Sequence, residues 1–164
     1  MTGSFEQDGA LAGVRRLLLL ILLLGMAGTA TELLFLKHVE APTQLIPLIL
    51  LGVGFGVTVW HAVQRGSGSL MALQLVMVLF VATGLLGMYL HFGANVEFQR
   101  EMDRSIGGMA LVWKAMAAKT PPALAPGSMS QLGLIGLAYS YGRPAFMRAS
   151  ARGTSRSDKT KRSV

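Results

Sequence analysis

Leu70 to Glu101 reads LMALQLVMVLFVATGLLGMYLHFGANVEFQRE, and how this stretch is read decides the fold. Leu70 through Leu90 holds no charged residue. At helical rise those residues extend about 31 Å, the depth of one bilayer's hydrocarbon core. His91 falls where that core ends, followed by Asn95, Glu97 and Glu101. The pattern predicts a transmembrane helix that carries polar groups out of the lipid at one face.

Working outward, three further apolar stretches can pack beside it. Arg15 and Arg16 precede LLLLILLLGMAGTATELLFL, a first span expected over residues 15–36. Basic residues, a Leu/Ile run and the small residues Gly28 to Ala30 also fit a signal peptide cleaved after Ala30. Apolar character resumes at Leu33, which brings the stretch to about 20 residues and favours a retained span. The second span, residues 45–64, follows the polar connection KHVEAPTQ; it places Pro47 in its first turn and Trp60 and His61 near an interface. RGSGS, Arg65 to Ser69, turns the chain into the third span at residues 70–91.

Beyond it lies an interfacial segment, residues 93–127. NVEFQREMDR reads as helix running on past the membrane, with Glu97–Arg100 and Glu101–Arg104 at i,i+3 spacing. Gly107–Gly108 ends it, and MALVWKAMAA reads as a short interfacial helix with Trp113 and Lys114 at headgroup level. TPPALAPG, Thr120 to Gly127, reads as irregular, and the S-x-x-Q of Ser128 to Gln131 reads as a capping box opening a fourth span at residues 128–146. That segment's apolar core is short, and a full crossing is expected because the charges after it fit one. The fold class is therefore an all-α integral membrane protein: a four-span up-down helical bundle over residues 14–148. A disordered segment at residues 1–13 and a disordered basic tail at 149–164 flank it.

Composition agrees. Hydrophobic residues make up 52% and charged residues 14%, and the ten Met and twenty Gly suit membrane helices. The chain has no cysteine, which excludes disulfides, thiolate metal sites and covalently attached c-type haem. The net charge of +7 belongs largely to one tail, since seven of the fifteen Lys and Arg follow Gly142. With four spans, one face collects ten basic residues and the other five, which puts both termini in the cytoplasm. A bacterial cytoplasmic membrane is the expected location. Gly52-x3-Gly56, Gly84-x2-Gly87 and Gly136-x3-Ser140 offer small faces for close packing.

This topology makes a geometric prediction. Glu32, His38, Glu40, Gln44, His91, Asn95, Glu97 and Gln131 converge at one depth on the non-cytoplasmic face. Three readings follow. Ranked first, the layer is structural, and the chain is a small non-catalytic accessory or scaffolding subunit docked on other membrane subunits. Ranked second, His38 and His91 ligate a b-type haem, or a divalent metal joined by Glu32 or Glu97; a pigment magnesium held by a single His is a variant. Ranked third, the layer is the entrance of a small transporter or channel component, although the helix interiors show no midplane charge. His61 lies at the opposite face and reads as interfacial.

The tail carries Arg152, Arg156, Lys159, Lys161 and Arg162, placed to meet anionic lipid headgroups. Without interleaved aromatics, and on a membrane anchor, those charges point to lipid rather than nucleic acid. The chain holds no phosphate loop, nucleophile elbow, zinc-protease or dinucleotide motif.

Overall fold

The computed structural model describes residues 3–36, 42–118 and 124–142. Among them are five helices and no strand: α1 (Gly3–Phe35), α2 (Pro42–Gln64), α3 (Ser67–Met102), α4 (Gly108–Met116) and α5 (Ala125–Ser140). Three segments, Gly9–Phe35, Gln44–Gln64 and Ser67–Met102, are long and apolar enough to cross a membrane. The basic tail and the residues around His38 and Glu40 lie outside the described residues.

α1 begins at Gly3, where an irregular segment through Gly13 was expected. Once the Leu-rich stretch is helical, each added residue gains a backbone hydrogen bond without a new nucleation cost, and no proline interrupts the segment. α2 also starts early. Pro42 opens it, which moves Pro47 into the second turn, where its missing N–H leaves the carbonyl of residue 43 without a helical donor.

The turn between α2 and α3 is shorter than RGSGS suggested. Arg65 adopts a left-handed φ of 48°, Gly66 is the N-cap, and Ser67 is already helical. The last long helix differs most from expectation. Ser128 is not its cap: α5 opens at Ala125 with Pro126 in its first turn, and the Ser128 hydroxyl donates back to the Leu124 carbonyl at 2.9 Å.

Four helices form a ring. α1 packs on α2 and α5, and α3 on α2 and α5, so α1 and α3 stand diagonally opposite, as do α2 and α5. The shared core includes Leu22 and Met26 from α1, Leu51 from α2, Met77 and Phe80 from α3 and Leu132 from α5. Outside the ring, Leu20, Leu24, Val53, Leu75 and Leu86 remain exposed, an apolar exterior suited to lipid.

The closest seam joins α3 and α5, which run antiparallel. A Cβ at Gly133 would fall 2.6 Å from the Met77 carbonyl oxygen, and one at Gly84 would fall 2.6 Å from that of Pro126. Only glycine permits such an approach. Gly136 meets Met77 and Gly87 meets Pro126, so α5 descends from the height of Gly87 toward the start of α3. Two of the three small-residue faces expected from sequence are thus used. The third is not: Gly52 and Gly56 are exposed with nothing near them, and Gly54 packs against Phe80 and Met26 instead.

α3 continues about 18 Å past Leu90, and α4 folds back along this overhang. The geometry follows from one bond. Asn95 Nδ2 donates to the Ala115 carbonyl at 3.1 Å. Asn95 stands about 10 Å back along α3 from Met102, and Ala115 about 10 Å along α4 from Gly108, so the bond closes only if the helices lie side by side. It also satisfies a carbonyl in α4's last turn, one of those a helix end leaves without partners. Leu111 and Ala115 are buried in the seam. The expected interfacial helix is therefore the second arm of a helical hairpin. Asp103 organises the corner: its carboxylate accepts from the Ser105 hydroxyl at 2.6 Å and the Ser105 N–H at 3.0 Å. Those two bonds, led by the hydroxyl, hold the Asp103 carboxyl below the ordinary aspartate range.

Candidate functional site

Polar side chains inside a membrane-type bundle are where function is sought. The structure gathers the best-defined set at the end of the ring where α2 meets α3. His61 is 1% exposed and lies on the same α2 stripe as Leu51, Gly54 and Thr58. Its Nδ1 is 2.9 Å from Ser69 Oγ on α3, and Ser69 Oγ donates onward to the Gly66 carbonyl at 3.0 Å. A hydroxyl has one hydrogen to give. With that hydrogen on Gly66, His61 Nδ1 must be the protonated nitrogen donating to Ser69, an assignment made from the network. The Tyr139 ring of α5 meets the imidazole edge-on, with centroids 5.8 Å apart and planes at 80°. At the same end Arg15 of α1 donates to the Tyr141 carbonyl at 3.4 Å, just past the α5 terminus, where a helix presents its negative pole.

These contacts tie all four helices together at one end. Of the other buried hydroxyls, Thr58 donates to Gly54 at 2.7 Å and Ser140 to Leu137 at 2.9 Å within or beside their own helices, and Ser130 donates to Val81 of α3 at 3.4 Å. Chemically this is a clasp. Among the described residues it contains no carboxylate and no second imidazole.

Sequence reasoning placed His61 at an interface and so missed it. The available signal was periodicity: positions 51, 54, 58 and 61 recur at helical spacing on one α2 face, and all four are buried.

Of the layer expected at the opposite end, Glu32 and Glu97 are not brought together. Met26, Gly54 and Phe80 touch, which sets a common height for α1, α2 and α3. From there Glu32 is six residues along α1 and Glu97 seventeen along α3, so the two carboxylates differ in height by about 16 Å. Ligands to one ion must lie within a few ångströms of it, so Glu32 and Glu97 do not share one. Both are exposed, and His91 is half-buried between their heights. Gln131, expected to start the fourth span, lies inside α5 and faces outward, below His91. Asn95 caps α4, as described. Among the described residues no three His, Asp or Glu side chains group closely enough to hold a metal ion. His38 and Glu40 lie outside the described residues.

The fold defines an all-α protein whose three long apolar helices suggest an integral membrane protein. Comparison of the chain with protein-family models, curated proteins and solved structures found no match in any of the three.

Proposed function

We propose that this chain is a small, non-catalytic accessory or scaffolding subunit of a larger membrane complex, crossing the bilayer four times with both termini in the cytoplasm. The observation that carries this reading is the use made of the buried polar groups. His61, Ser69, Tyr139 and Ser130 bind helices to one another, and the carboxylates Glu32 and Glu97 at the far end stand at different heights. A chain whose buried His61, Ser69, Tyr139 and Ser130 hold its helices together, and whose exterior is apolar, acts through its surfaces; Gln74 of α3, whose Oε1 is buried without a hydrogen-bond partner among the described residues, is the exception.

The fourth crossing is α5. Its 16 residues extend about 24 Å, several ångströms short of the hydrocarbon core, a mismatch that local thinning or tilted neighbours accommodate at modest cost. Its course from the height of Gly87 to the His61 end supports a crossing. The basic residues after Gly142 then fall on the side of Arg15, Arg16 and Arg65, where anionic headgroups receive the tail.

The test is extraction from native membranes in mild detergent, followed by sizing, an absorption spectrum and metal analysis. A colourless, metal-free protein that migrates with other subunits, well above its own 17.5 kDa, is the expected result. A Soret band or a stoichiometric metal would overturn the non-catalytic reading. Migration alone would overturn the accessory one.

A further inference from the structure

α5 turns a glutamine toward the lipid. Gln131 is exposed, and among the described residues its carboxamide makes no hydrogen bond. Its depth follows from its neighbour. The Ser130 hydroxyl donates to the Val81 carbonyl, and a Cβ at Gly84 would strike Ser130, so Ser130 stands between Val81 and Gly84 of α3. α5 descends from there, which sets Gln131 within about 3 Å of the height of Phe80. Phe80 is the midpoint of the uncharged Leu70–Leu90 segment. Gln131 therefore faces outward at the centre of the hydrocarbon core, and moving that core by about 7 Å either way leaves it inside.

Lipid cannot satisfy this amide. An extended glutamine side chain reaches about 5 Å from its Cα, and the headgroups begin about 15 Å away, so it cannot snorkel to them. Hydrocarbon offers neither donor nor acceptor, and a polar group left unpaired there is costly. Polar side chains at such depth pair with other protein groups.

The bonding capacity of the group selects the occupant. A carboxamide carries an acceptor oxygen and two N–H donors, so two of them facing each other exchange two N–H···O bonds. Two copies inserted with the same orientation are related by a two-fold axis along the membrane normal, which brings identical residues to identical depth. A second copy thus presents the matching group at the matching height. The face around Gln131 permits the approach. Gly127, one turn before it, has open space where a Cβ would stand, and Ala138, two turns after it, is exposed. Small residues on a helix face let backbones come close enough for short polar side chains to meet. Leu134, 57% exposed, lies beside Gln131.

We propose that α5 is a self-association helix: it packs against α5 of a second copy, and the two Gln131 carboxamides bond reciprocally across the axis. This rests on α5 crossing the bilayer, as in the functional reading above, and goes beyond that reading in making the chain its own partner.

The cysteine-free sequence makes the test direct. Full-length Leu134→Cys protein is reconstituted in phosphatidylcholine vesicles and treated with a membrane-permeant oxidant. Val53→Cys is the control, an exposed position at similar depth on α2, diagonally opposite α5. A covalent dimer at least tenfold more abundant for Leu134→Cys is expected. Adding Gln131→Leu, similar in size and suited to lipid, is expected to lower that dimer about fivefold, the order of a hydrogen-bonded contact between membrane helices. Gln131→Asn, which keeps an amide, is expected to retain most of it. Equal cross-linking of Leu134→Cys and Val53→Cys overturns the proposal, as does a dimer undiminished by Gln131→Leu. A water-soluble maleimide applied to both sides separates this from a failure of the crossing. Protection of Leu134→Cys without a dimer overturns self-association alone, whereas labelling puts α5 outside the membrane and overturns both. An adduct with another protein in native membranes, without the dimer, would assign Gln131 to that protein and overturn self-association equally.

Discussion

His61 combines burial, a hydrogen bond to Ser69 and a ring contact with Tyr139, so its removal acts on three helices at once. His61→Ala leaves a cavity beside Tyr139 and strands the Ser69 oxygen; a loss of about 2 kcal/mol is expected from the unmet bond and lost packing. Reversible denaturation in detergent micelles checks this, and a loss no larger than that of Trp60→Ala, an exposed neighbour on the same helix, would contradict it. Asp103 gives a second test at this scale. Its folded carboxyl is held low by Ser105, so the contribution of that bond to the corner is complete above the ordinary aspartate range. It is lost as pH falls through the lowered folded value. Ser105→Ala removes the leading cause, and the Asp103 titration midpoint is expected to move up in an NMR titration; an unmoved midpoint would show that the hydroxyl has no such role.

Among the elements, the α3–α5 seam separates glycines that packing needs from glycines that it does not. A methyl at Gly133 meets the backbone of α3, which cannot move aside as a side chain can. Gly133→Ala is therefore expected to cost about 2 kcal/mol as overpacking, while Gly52→Ala, with open space around it, stays within about 0.5 kcal/mol of the parent. Thermal melts of the two variants in one detergent make the comparison, and equal melting temperatures would contradict the seam. The same contrast shows what could be read from sequence. Length and apolarity announced the helices, because crossing a bilayer constrains both. Which glycine faces a neighbour was not legible: Gly52-x3-Gly56 matches the small-residue pattern, yet Gly54 is the one that meets Phe80 and Met26. α4 is similar. Its residues announce a helix, but its direction is set by Asn95 bonding Ala115 twenty positions away.

For the whole molecule, height separates two members of the expected polar layer, Glu32 and Glu97. Placing each residue by its distance from a span end ignores how far one helix outruns another, and α3 outruns α1 enough to lift Glu97 away from Glu32. The clasp at the other end joins Arg15, His61, Ser69, Tyr139 and Tyr141 from four helices, contacts that depend on which helices are neighbours. Everything proposed about function rests on α5 returning the chain to the side from which α1 entered. Single cysteines in this cysteine-free chain test that return most directly. Tyr141→Cys and Gly66→Cys are expected to react with a membrane-impermeant maleimide only in inverted vesicles, and Met102→Cys only in right-side-out vesicles. Labelling of Tyr141→Cys on the same side as Met102→Cys would contradict it.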